Sequence, residues 1–413
     1  MEGRVRITSE IGRLRSVMCH EPGPELSVVT PENQDNYLFD DLLDLEESVS
    51  EHRRFRTVLE RFAEVYEVAQ LLRETLASEE ARAYLLEHAG DALRKWSEGA
   101  EAGELCRLFI EGEQAEISRS GKESLAVLVN EAGYLLPPLP NLFFTRDAAV
   151  VIGEQLLISA MRHEVRWTEE LIMRTLFGFH RGLTNRGLLY DGTRERRLNT
   201  SIEGGDIHIL RPDLLLLGRS ERTSAAGIDT LARQLFDRTG VRDVVVVLLP
   251  RQRSSIHLDM VFTMIDRGLC CVYPPHFEGP TRLPVVHVSE SRHEVRETSD
   301  LFTALADLGM RLDSVRCGGC SRTAQEREQW GSGCNMFAVG PGQLVAYDRN
   351  DYTLRELEQE AGMRIVAADD FLNGSESVGP DERFVITVQG SELVRGGGGP
   401  RCMTLPLQRD DLA

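Results

Sequence analysis

Apolar and polar positions along the chain follow one repeated pattern: an apolar run, a turn bearing glycine or proline, a second apolar run and often an amphipathic helix. Each copy predicts two adjacent strands, and the added helices are typical of α/β architecture. The predicted strand pairs are 147–152 with 156–159, 206–210 with 214–218, 259–265 with 269–273, and 335–339 with 344–347. A looser fifth copy places a strand at 14–19 and a helix at 46–63.

Five units of this kind can close radially, which hides sheet edges and leaves a central site where the first strands converge. Asp147, Asp206 and Asn335 stand at or beside the start of a first strand. We therefore expect these side chains to line the middle of the fold.

The span 70–133 interrupts the repeat. Ser78 is a suitable N-cap for a helix that Gly90 can end. Apolar helical faces are offered by Leu85, Leu86, Trp96, Leu105, Leu108, Phe109 and Ile110. The sequence predicts a small all-helical insertion at 70–133 in a main domain formed by 1–69 and 134–413. This insertion is either a surface for packing or assembly or a lid.

Composition narrows the possible partners. The formal net charge of −19 argues against nucleic acid and anionic membranes, because both require a basic surface. No apolar run follows the basic residues at the start, and the longest apolar stretch, 244–250, is far too short to cross a bilayer. Eight cysteines in 413 residues do not form a disulfide framework, so a reducing cytoplasm is expected.

Four consecutive glycines, 396–399, lead to Pro400, Arg401 and Cys402. Glycine is placed where a chain turns sharply, moves or approaches a ligand closely. No Gly-Lys-Ser/Thr follows, so a phosphate-binding loop is disfavoured. From this feature alone, Cys402 is either a presented nucleophile or an inert small hydrophobic residue.

Two further motifs carry ionisable groups. Two glycines between Glu203 and Asp206 allow both acids to face one site, although a solvated turn is the alternative. His257 and Asp259 fall on one face of a predicted strand, with Leu258 on the other. Such a pair suits proton transfer or is a structural pair with satisfied hydrogen bonds.

Neither a metal nor a cofactor is expected. The candidate hard ligands lack the spacing of known zinc or calcium motifs; they are Glu203, Asp206, His208, His257 and Asp259. Cys317 and Cys320 form half of a zinc knuckle, but a second Cys-x-x-Cys is absent from the sequence.

Carboxylates, a histidine and a cysteine together suggest a flat cationic substrate. A guanidinium keeps its proton up to a pKa of about 12.5–13.8, so water displaces its nitrogen poorly. An enzyme can hold it between carboxylates and attack its central carbon with a thiolate. The substrate charge would also help to lower the thiol pKa.

These residues resemble those of the arginine deiminases, in the guanidine-modifying (pentein) superfamily. The similarity runs over nearly the whole chain and is carried by Ser9–Arg15, Phe39–Asp41, Leu139–Asp147, Glu203–Asp206, Glu221–Ser224, His257–Asp259, Tyr347–Asn350 and Arg401–Pro406. The resemblance implies a five-bladed pseudo-symmetric α/β propeller with a small all-helical insertion, the propeller being the catalytic domain.

The resemblance also implies roles. Cys402 would be the nucleophile and His257 the general acid and then base. Asp147 and Asp259 would hold the guanidinium nitrogens. Glu203 would be catalytic and orient His257, and the expected substrate-binding residues are Asp206, Asn141, Arg166, Arg222, Gly397 and Arg401.

One departure concerns the glycine run. Many members of the family carry an arginine where this chain has Gly397, so a gating arginine here would be Arg395 or Arg401, or would be missing.

The expected reaction is hydrolysis of free L-arginine to L-citrulline and ammonia, with water as co-substrate and a cysteine thiouronium intermediate. The alternatives are an amidinotransferase, a hydrolase of agmatine or methylated arginine, and a catalytically silent acidic propeller that binds a cation. A homo-oligomer is expected, without nucleic acid or membrane partners.

Overall fold

The computed structural model describes residues 4–89, 99–114, 134–195, 200–290 and 294–412. Its helices are α1 (Leu45–Leu59), α2 (Val68–Thr75), α3 (Glu79–Ala89), α4 (Ala102–Glu111), α5 (Thr145–Ala148), α6 (Trp167–Phe179), α7 (Gly192–Glu195), α8 (Ala225–Arg238), α9 (Pro274–Phe277), α10 (Leu301–Asp307), α11 (Arg322–Trp330), α12 (Asp351–Gln359) and α13 (Ala368–Asn373). Its strands are β1 (Leu14–Cys19), β2 (Glu64–Glu67), β3 (Glu113–Gln114), β4 (Tyr134–Leu136), β5 (Ala149–Ile152), β6 (Gln155–Ile158), β7 (Leu188–Asp191), β8 (Ile207–Arg211), β9 (Leu214–Arg219), β10 (Asp243–Leu248), β11 (Phe262–Asp266), β12 (Leu269–Val272), β13 (Val285–Ser289), β14 (Glu294–Thr298), β15 (Asp313–Arg316), β16 (Phe337–Gly340), β17 (Gln343–Tyr347), β18 (Arg364–Ala367), β19 (Phe384–Val388) and β20 (Leu405–Arg409).

Five of the sheets contain the same three-stranded unit. In each, two strands pair antiparallel and a third pairs parallel with the second of them. The units are β5-β6-β7, β8-β9-β10, β11-β12-β15, β16-β17-β19 and β20-β1-β2. A helix lies between the second and third strand of each unit, because a parallel pair needs a long crossover. The α/β repeat is therefore confirmed, and no sheet of the described residues closes on itself.

The last unit joins the two ends of the chain. β20 pairs antiparallel with β1, for example at Val17 and Pro406, and β1 pairs parallel with β2. The segment that carries Cys402 is thus anchored to the N-terminal part of the chain three residues before β20 begins.

Each first strand is preceded by a turn that holds the polar residues singled out in the sequence. Asp147 lies in α5, before β5, and Asp206 ends a 3₁₀ turn (Gly204–Asp206) directly before β8. The strand predicted at 259–265 begins later, at Phe262, and a 3₁₀ turn occupies Leu258–Met260. Placing His257 and Asp259 on one face of a strand was therefore wrong.

The physical reason for that turn is a side-chain hydrogen bond to the backbone. The Oδ1 of Asp206 accepts a hydrogen bond from the backbone N–H of Leu258 at 2.8 Å. Local bonds of this kind compete with a strand ladder. The turn presents His257 from its extended N-cap position and Asp259 from its first turn.

Apolar strands are covered on both faces. Cys270 and Cys271, adjacent in β12, are both fully buried, so this strand packs on both sides. The sheet units alternate with amphipathic helices such as α8, whose buried residues include Leu231 and Leu235.

The interrupting span is mostly helical where it is described, but β3 lies within it and pairs antiparallel with β4, so the prediction of an all-helical insertion was wrong at these two residues. α3 begins directly after Ser78 and packs on α6, with the Tyr84 and Phe179 rings 5.3 Å apart. Gly90 and Trp96 lie outside the described residues. None of the described helices has the length and apolarity needed to cross a membrane.

A buried histidine ties β1 to β2 and makes stability depend on pH. His20 contacts Glu67 at 2.8 Å through Nδ1 and Glu25 at 3.3 Å through Nε2. Burial opposes its charge, but the two carboxylates outweigh burial and raise the pKa of His20 to about 10 from 6.5. A raised folded-state pKa gives stability that is complete below pH 6.5 and disappears as pH rises through 10.

We therefore expect His20→Gln to lower the free energy of unfolding by about 3–5 kcal/mol near pH 6, because it leaves buried carboxylates without their cation. The difference from the unaltered protein should shrink steadily up to pH 10. Denaturant titrations at several pH values measure it, with the exposed His88→Gln as control. A difference that stays constant with pH would contradict the assignment.

Candidate active site

The glycine run before Cys402 passes too close to its neighbours for a side chain at its last two positions. A Cβ at Gly398 would lie 2.5 Å from the ring of Phe144, and one at Gly399 would lie 2.8 Å from the carbonyl oxygen of Asn335. Real Cβ atoms do not approach that closely, so glycine is required at both positions. The run thereby presses the turn that holds Cys402 against the residue that begins the fourth unit.

Cys402 is buried among polar groups. Its Sγ lies 3.1 Å from the side-chain Nδ2 of Asn335, which donates, and 3.6 Å from Oδ2 of Asp259. Burial raises the pKa of the Cys402 thiol well above its ordinary value, and the negative charges of Asp259 and Asp147 raise it further. Without a cation beside it, Cys402 is therefore a neutral thiol near neutral pH.

His257 lies between carboxylates. Its Nε2 is 2.8 Å from Oε2 of Glu203, and its Nδ1 is 3.6 Å from Oδ1 of Asp147. Burial alone would lower its pKa, but Asp147, Glu203 and Asp206 outweigh burial and raise the pKa of His257 to about 9. The resting imidazole is therefore protonated at neutral pH and ready to act as an acid.

Asp147 and Asp259 share an unusual arrangement. In each, Oδ2 accepts a hydrogen bond from a buried arginine: Arg166 at 2.7 Å for Asp147 and Arg401 at 2.9 Å for Asp259. In each, Oδ1 is buried and accepts no hydrogen bond from the described residues. A buried carboxylate oxygen without a donor is costly, so the pair is suited to a ligand that brings N–H groups.

Glu203 and Asp206 occupy different environments. Glu203 accepts from the backbone N–H of Arg162 at 2.9 Å, and Arg222 lies 3.4 Å away. Although burial acts the other way, Arg222, His257 and Arg166 lower the pKa of Glu203. Burial instead raises the pKa of Asp206 to about 7.

Asp206 was expected to bind substrate, and its contacts favour another role. Its Oδ2 accepts from the Ser220 hydroxyl at 2.6 Å, and its Oδ1 accepts from the Leu258 N–H. Both oxygens are thus engaged by the protein, on the turn that carries His257. These contacts are in keeping with the expectation that Asp206 orients His257, while its contact with substrate stays a prediction.

The groups expected to grip an amino-acid backbone are all buried but differ in availability. Arg166 is fully engaged, because it donates to Asp147 and to both carboxylate oxygens of Glu169. Asn141 donates to the carbonyl of Tyr37 at 2.7 Å. For Arg222, the ion pairs run through Nε and Nη1, while Nη2 has no hydrogen bond among the described residues.

Arg401 does not fit the expected role of a substrate-binding or gating group. Its guanidinium lies behind the site, bonded to Asp259, to Glu10 at 3.2 Å and to the carbonyl of Ile207 at 2.8 Å. It is 2% exposed, and such a contact set leaves no freedom to swing. Arg401 instead holds Asp259 in place.

Gly397 lies at a different place, on the wall of a cavity of about 170 Å³. Its φ is +90°, and a Cβ there would lie 3.4 Å from Nη2 of Arg253, which pairs with Asp40. Met260, in the same wall, contacts the Nδ2 of Asn335 at 3.7 Å. One wall of the cavity is thus in contact with Asn335, the residue that donates to Cys402. Arg253 occupies the space beside Gly397.

Arg395, the other candidate gate, lines this cavity near its mouth. It pairs with Asp41 at 2.9 Å and with Glu392 at 3.0 Å. Unlike Arg401, it is partly exposed.

Asp147, Glu203 and His257 come close enough together to hold a metal ion. Each already has a charged protein partner, since Arg166 and Arg222 neutralise the acids and both histidine nitrogens face carboxylates. The set therefore fits a protonated histidine better than a cation.

Sequence reasoning missed several groups that touch the site. Asn335 was noted only as lining the middle, yet it contacts both the backbone and the sulfur of Cys402. The position of Asn335 at the start of a first strand was the signal for a place in the site. Its side chain carries no charge, so the sequence alone did not indicate a catalytic contact. Glu10 and Glu169 gave no signal, because only the fold shows which arginines they hold.

Comparisons with known proteins give consistent results. The model of a protein family described as arginine deiminase matches residues 35–409. The arginine deiminases of Streptococcus sanguinis strain SK36 and of Streptococcus pneumoniae serotype 19F strain G54 are each 34% identical, over 99% of this chain and 99% of the relative.

Among solved structures, the likeness is one of fold. SxtG, an amidinotransferase from Microseira wollei, superposes with a TM-score of 0.54 at 11% identity, over 99% of this chain and 98% of that one. The N-terminal domain of ArgZ, a cyanobacterial arginine dihydrolase, gives 0.52 at 15% identity, covering 96% and 99% of the two chains. DDAH from Pseudomonas aeruginosa gives 0.51 at 14% identity, covering 95% and 99%.

The charge around Cys402 predicts how its thiol titrates. The difference in near-ultraviolet thiolate absorbance between the unaltered protein and Cys402→Ser should appear only above the ordinary thiol pKa of about 8.5, because burial and two carboxylates oppose the thiolate. Adding Asp259→Asn to both proteins should move this transition to lower pH. A thiolate already formed at pH 7 would contradict the geometry.

Proposed function

This chain belongs to the arginine deiminase family and hydrolyses the guanidinium group of arginine, and we propose that it does so on free L-arginine through a covalent adduct with Cys402. One observation carries the assignment of roles. Asp147 and Asp259, whose negative charges act on the buried thiol, each have a buried Oδ1 that accepts no hydrogen bond from the described residues. A guanidinium offers five N–H donors in one plane and a positive charge, which is what these oxygens lack.

Substrate binding itself activates the nucleophile in this proposal. The Cys402 thiol is neutral at rest because the charges around it are negative. A guanidinium held between Asp147 and Asp259 neutralises those charges beside the sulfur and lowers the thiol pKa. The proton leaves towards Oδ2 of Asp259, its hydrogen-bond acceptor at 3.6 Å, and Sγ bonds to the guanidinium carbon.

His257 then acts twice. The protonated imidazole gives its proton to one terminal nitrogen, the C–N bond breaks, and ammonia leaves a thiouronium adduct on Cys402. Neutral His257 next takes a proton from water, whose oxygen bonds to the same carbon. The C–S bond breaks as the new hydroxyl group loses its proton to solvent water, citrulline forms, and the thiolate takes back the proton held by Asp259. Glu203 holds the imidazole throughout, at 2.8 Å.

The distal end of the substrate is assigned to Arg222 and Asn141. Arg222 has a nitrogen without a hydrogen bond among the described residues, which suits the α-carboxylate of arginine. Arg166 stays with Asp147 and Glu169 and holds the guanidinium-binding oxygen in position. The cavity beside Gly397 is the proposed entrance, with Arg395 rather than Arg401 as its movable arginine.

The architecture is proposed to be a five-bladed propeller around this site. The pentein fold of the structural neighbours, the five like units, and the pairing of β20 with β1 support radial closure. Residues 70–133 form the proposed helical insertion, and 1–69 with 134–413 the catalytic domain. All eight cysteines are free, in keeping with a reducing cytoplasm, while a homo-oligomer stays a prediction.

Incubation with L-arginine should yield citrulline and ammonia in equal amounts. Cys402→Ser should lose essentially all activity, because an alcohol is a poor nucleophile near neutral pH. The exposed Cys320→Ser serves as the matched control and should keep full activity. Acid quenching during turnover should show the adduct mass on the peptide that contains Cys402. Full activity of Cys402→Ser would exclude this mechanism.

Arg222→Ala separates arginine from rival guanidines. The variant should lose about 10²-fold or more in kcat/KM for arginine, because a buried charged contact with the carboxylate is removed. Its activity on agmatine, which lacks that carboxylate, should change far less. Parallel steady-state assays measure both, and an added amine acceptor tests for transfer. Equal losses on the two substrates would remove Arg222 from the carboxylate site.

A further inference from the structure

A second groove, of about 490 Å³, opens on the surface next to the proposed entrance. The last turn of α11 and the loops after β17 and before the glycine run form its walls. Its functional groups are those of Glu326, Arg327, Trp330, Arg349 and Arg395. None of the residues assigned to catalysis lines it.

Three arginines and one acid line the groove, on a chain whose net charge is −19. Arg327 and Arg349 are exposed and have no ion pair within the described residues, so their charge is not compensated locally. The acid in the lining, Glu326, is already paired with Arg322 at 2.6 Å. Arg395 is paired with Asp41 and Glu392, so Arg327 and Arg349 are the two guanidinium groups that attract anions to this concave surface. Their two charges outweigh the partial negative charge of the helix end.

An exposed aromatic ring lies among these cations. Trp330 is 52% exposed, an unusual state for a large apolar side chain that the fold could have buried. It stands three residues after Arg327 on α11, so the two side chains project from the same face of the helix. The next loop is tied beneath them, since Asn350 donates to the carbonyl of Gly331 at 3.0 Å. The ring and the guanidinium groups therefore belong to one surface.

We propose that this groove binds a nucleotide. The flat face of Trp330 stacks on the base, and Arg327, Arg349 and Arg395 hold the phosphates. Nucleotide bases stack on the faces of aromatic side chains, and arginine binds phosphate oxygens through paired hydrogen bonds. A purely apolar ligand would leave the cations without partners, and an inorganic anion would leave the ring exposed.

The position of the groove gives binding a consequence for turnover. Trp330, Val394 and Arg395 line both this groove and the cavity beside Gly397. Phosphate held by Arg395 competes with Asp41, whose ion pair with Arg395 lies in the wall of that cavity. Loss of this pair loosens the mouth, so a bound nucleotide lowers the KM for arginine. This last step rests on the proposed function, whereas nucleotide binding does not.

The experiment is a titration of the full-length protein with ATP at fixed salt concentration. Binding is monitored by calorimetry and by quenching of tryptophan fluorescence. Adenosine tests the ring alone and tripolyphosphate tests the charge alone, and both should bind at least tenfold more weakly than ATP. Arg327→Ala/Arg349→Ala and Trp330→Leu should each weaken ATP binding by about tenfold or more. Arg267→Ala, which removes an exposed arginine elsewhere, should leave it unchanged.

Circular dichroism and denaturant titration show whether the variants are folded, because Trp330 also lines the proposed entrance and activity on arginine is therefore not a neutral control. ATP binding that is absent, or that is equally tight in Arg327→Ala/Arg349→Ala, would overturn the proposal. Tripolyphosphate binding as tightly as ATP, with no effect of Trp330→Leu, would reduce the groove to an anion site and overturn the nucleotide assignment. Binding measured with Cys402→Ser stays informative even if arginine is not the substrate.

Discussion

Burial of charge without full compensation is the constraint on which this site depends. Asp147 and Asp259 are almost completely buried, and each has one oxygen held by an arginine and one oxygen that accepts no hydrogen bond from the described residues. The second oxygen of Asp147 lies 3.6 Å from Nδ1 of His257. Burying such groups is costly, and a fold retains them only where another interaction offsets the cost. A planar cation with several N–H groups is the ligand that completes them. The neutral thiol and the protonated histidine follow from the same negative surroundings.

The fold supplies this arrangement by repetition. Five like units each begin with a strand, and the turn before that strand carries the site's polar groups: Asp147, Glu203 with Asp206, His257 with Asp259, Asn335, and Cys402. Residues far apart in sequence thereby meet, while each unit keeps its own apolar packing. The arginines behind the site, Arg166 and Arg401, are held in turn by Glu169 and Glu10. The geometry of the carboxylates is thus fixed from outside the catalytic set.

The sequence predicted the parts that local patterns encode. Apolar alternation located the strand pairs, and β1 was predicted at its observed bounds, 14–19. The types of the polar residues were by themselves enough to suggest a guanidinium substrate. Sequence patterns failed where a distant side chain fixes the backbone conformation. The turn Leu258–Met260 is the example, because the Asp206 side chain accepts a hydrogen bond from the backbone N–H of Leu258. They also failed for Arg401 and Glu10, whose roles depend on a contact across 391 residues.

The central claim is that the guanidinium of arginine completes the two carboxylates. Calorimetry of arginine binding to Cys402→Ser tests it most directly, with Asp147→Asn and Asp259→Asn added singly to that background. Asparagine keeps the shape of each side chain but removes its charge and replaces one acceptor oxygen by a donor. We expect each substitution to weaken binding by about 10²-fold or more, while circular dichroism shows that the fold is retained. Arginine binding of unchanged affinity in both variants would contradict the account.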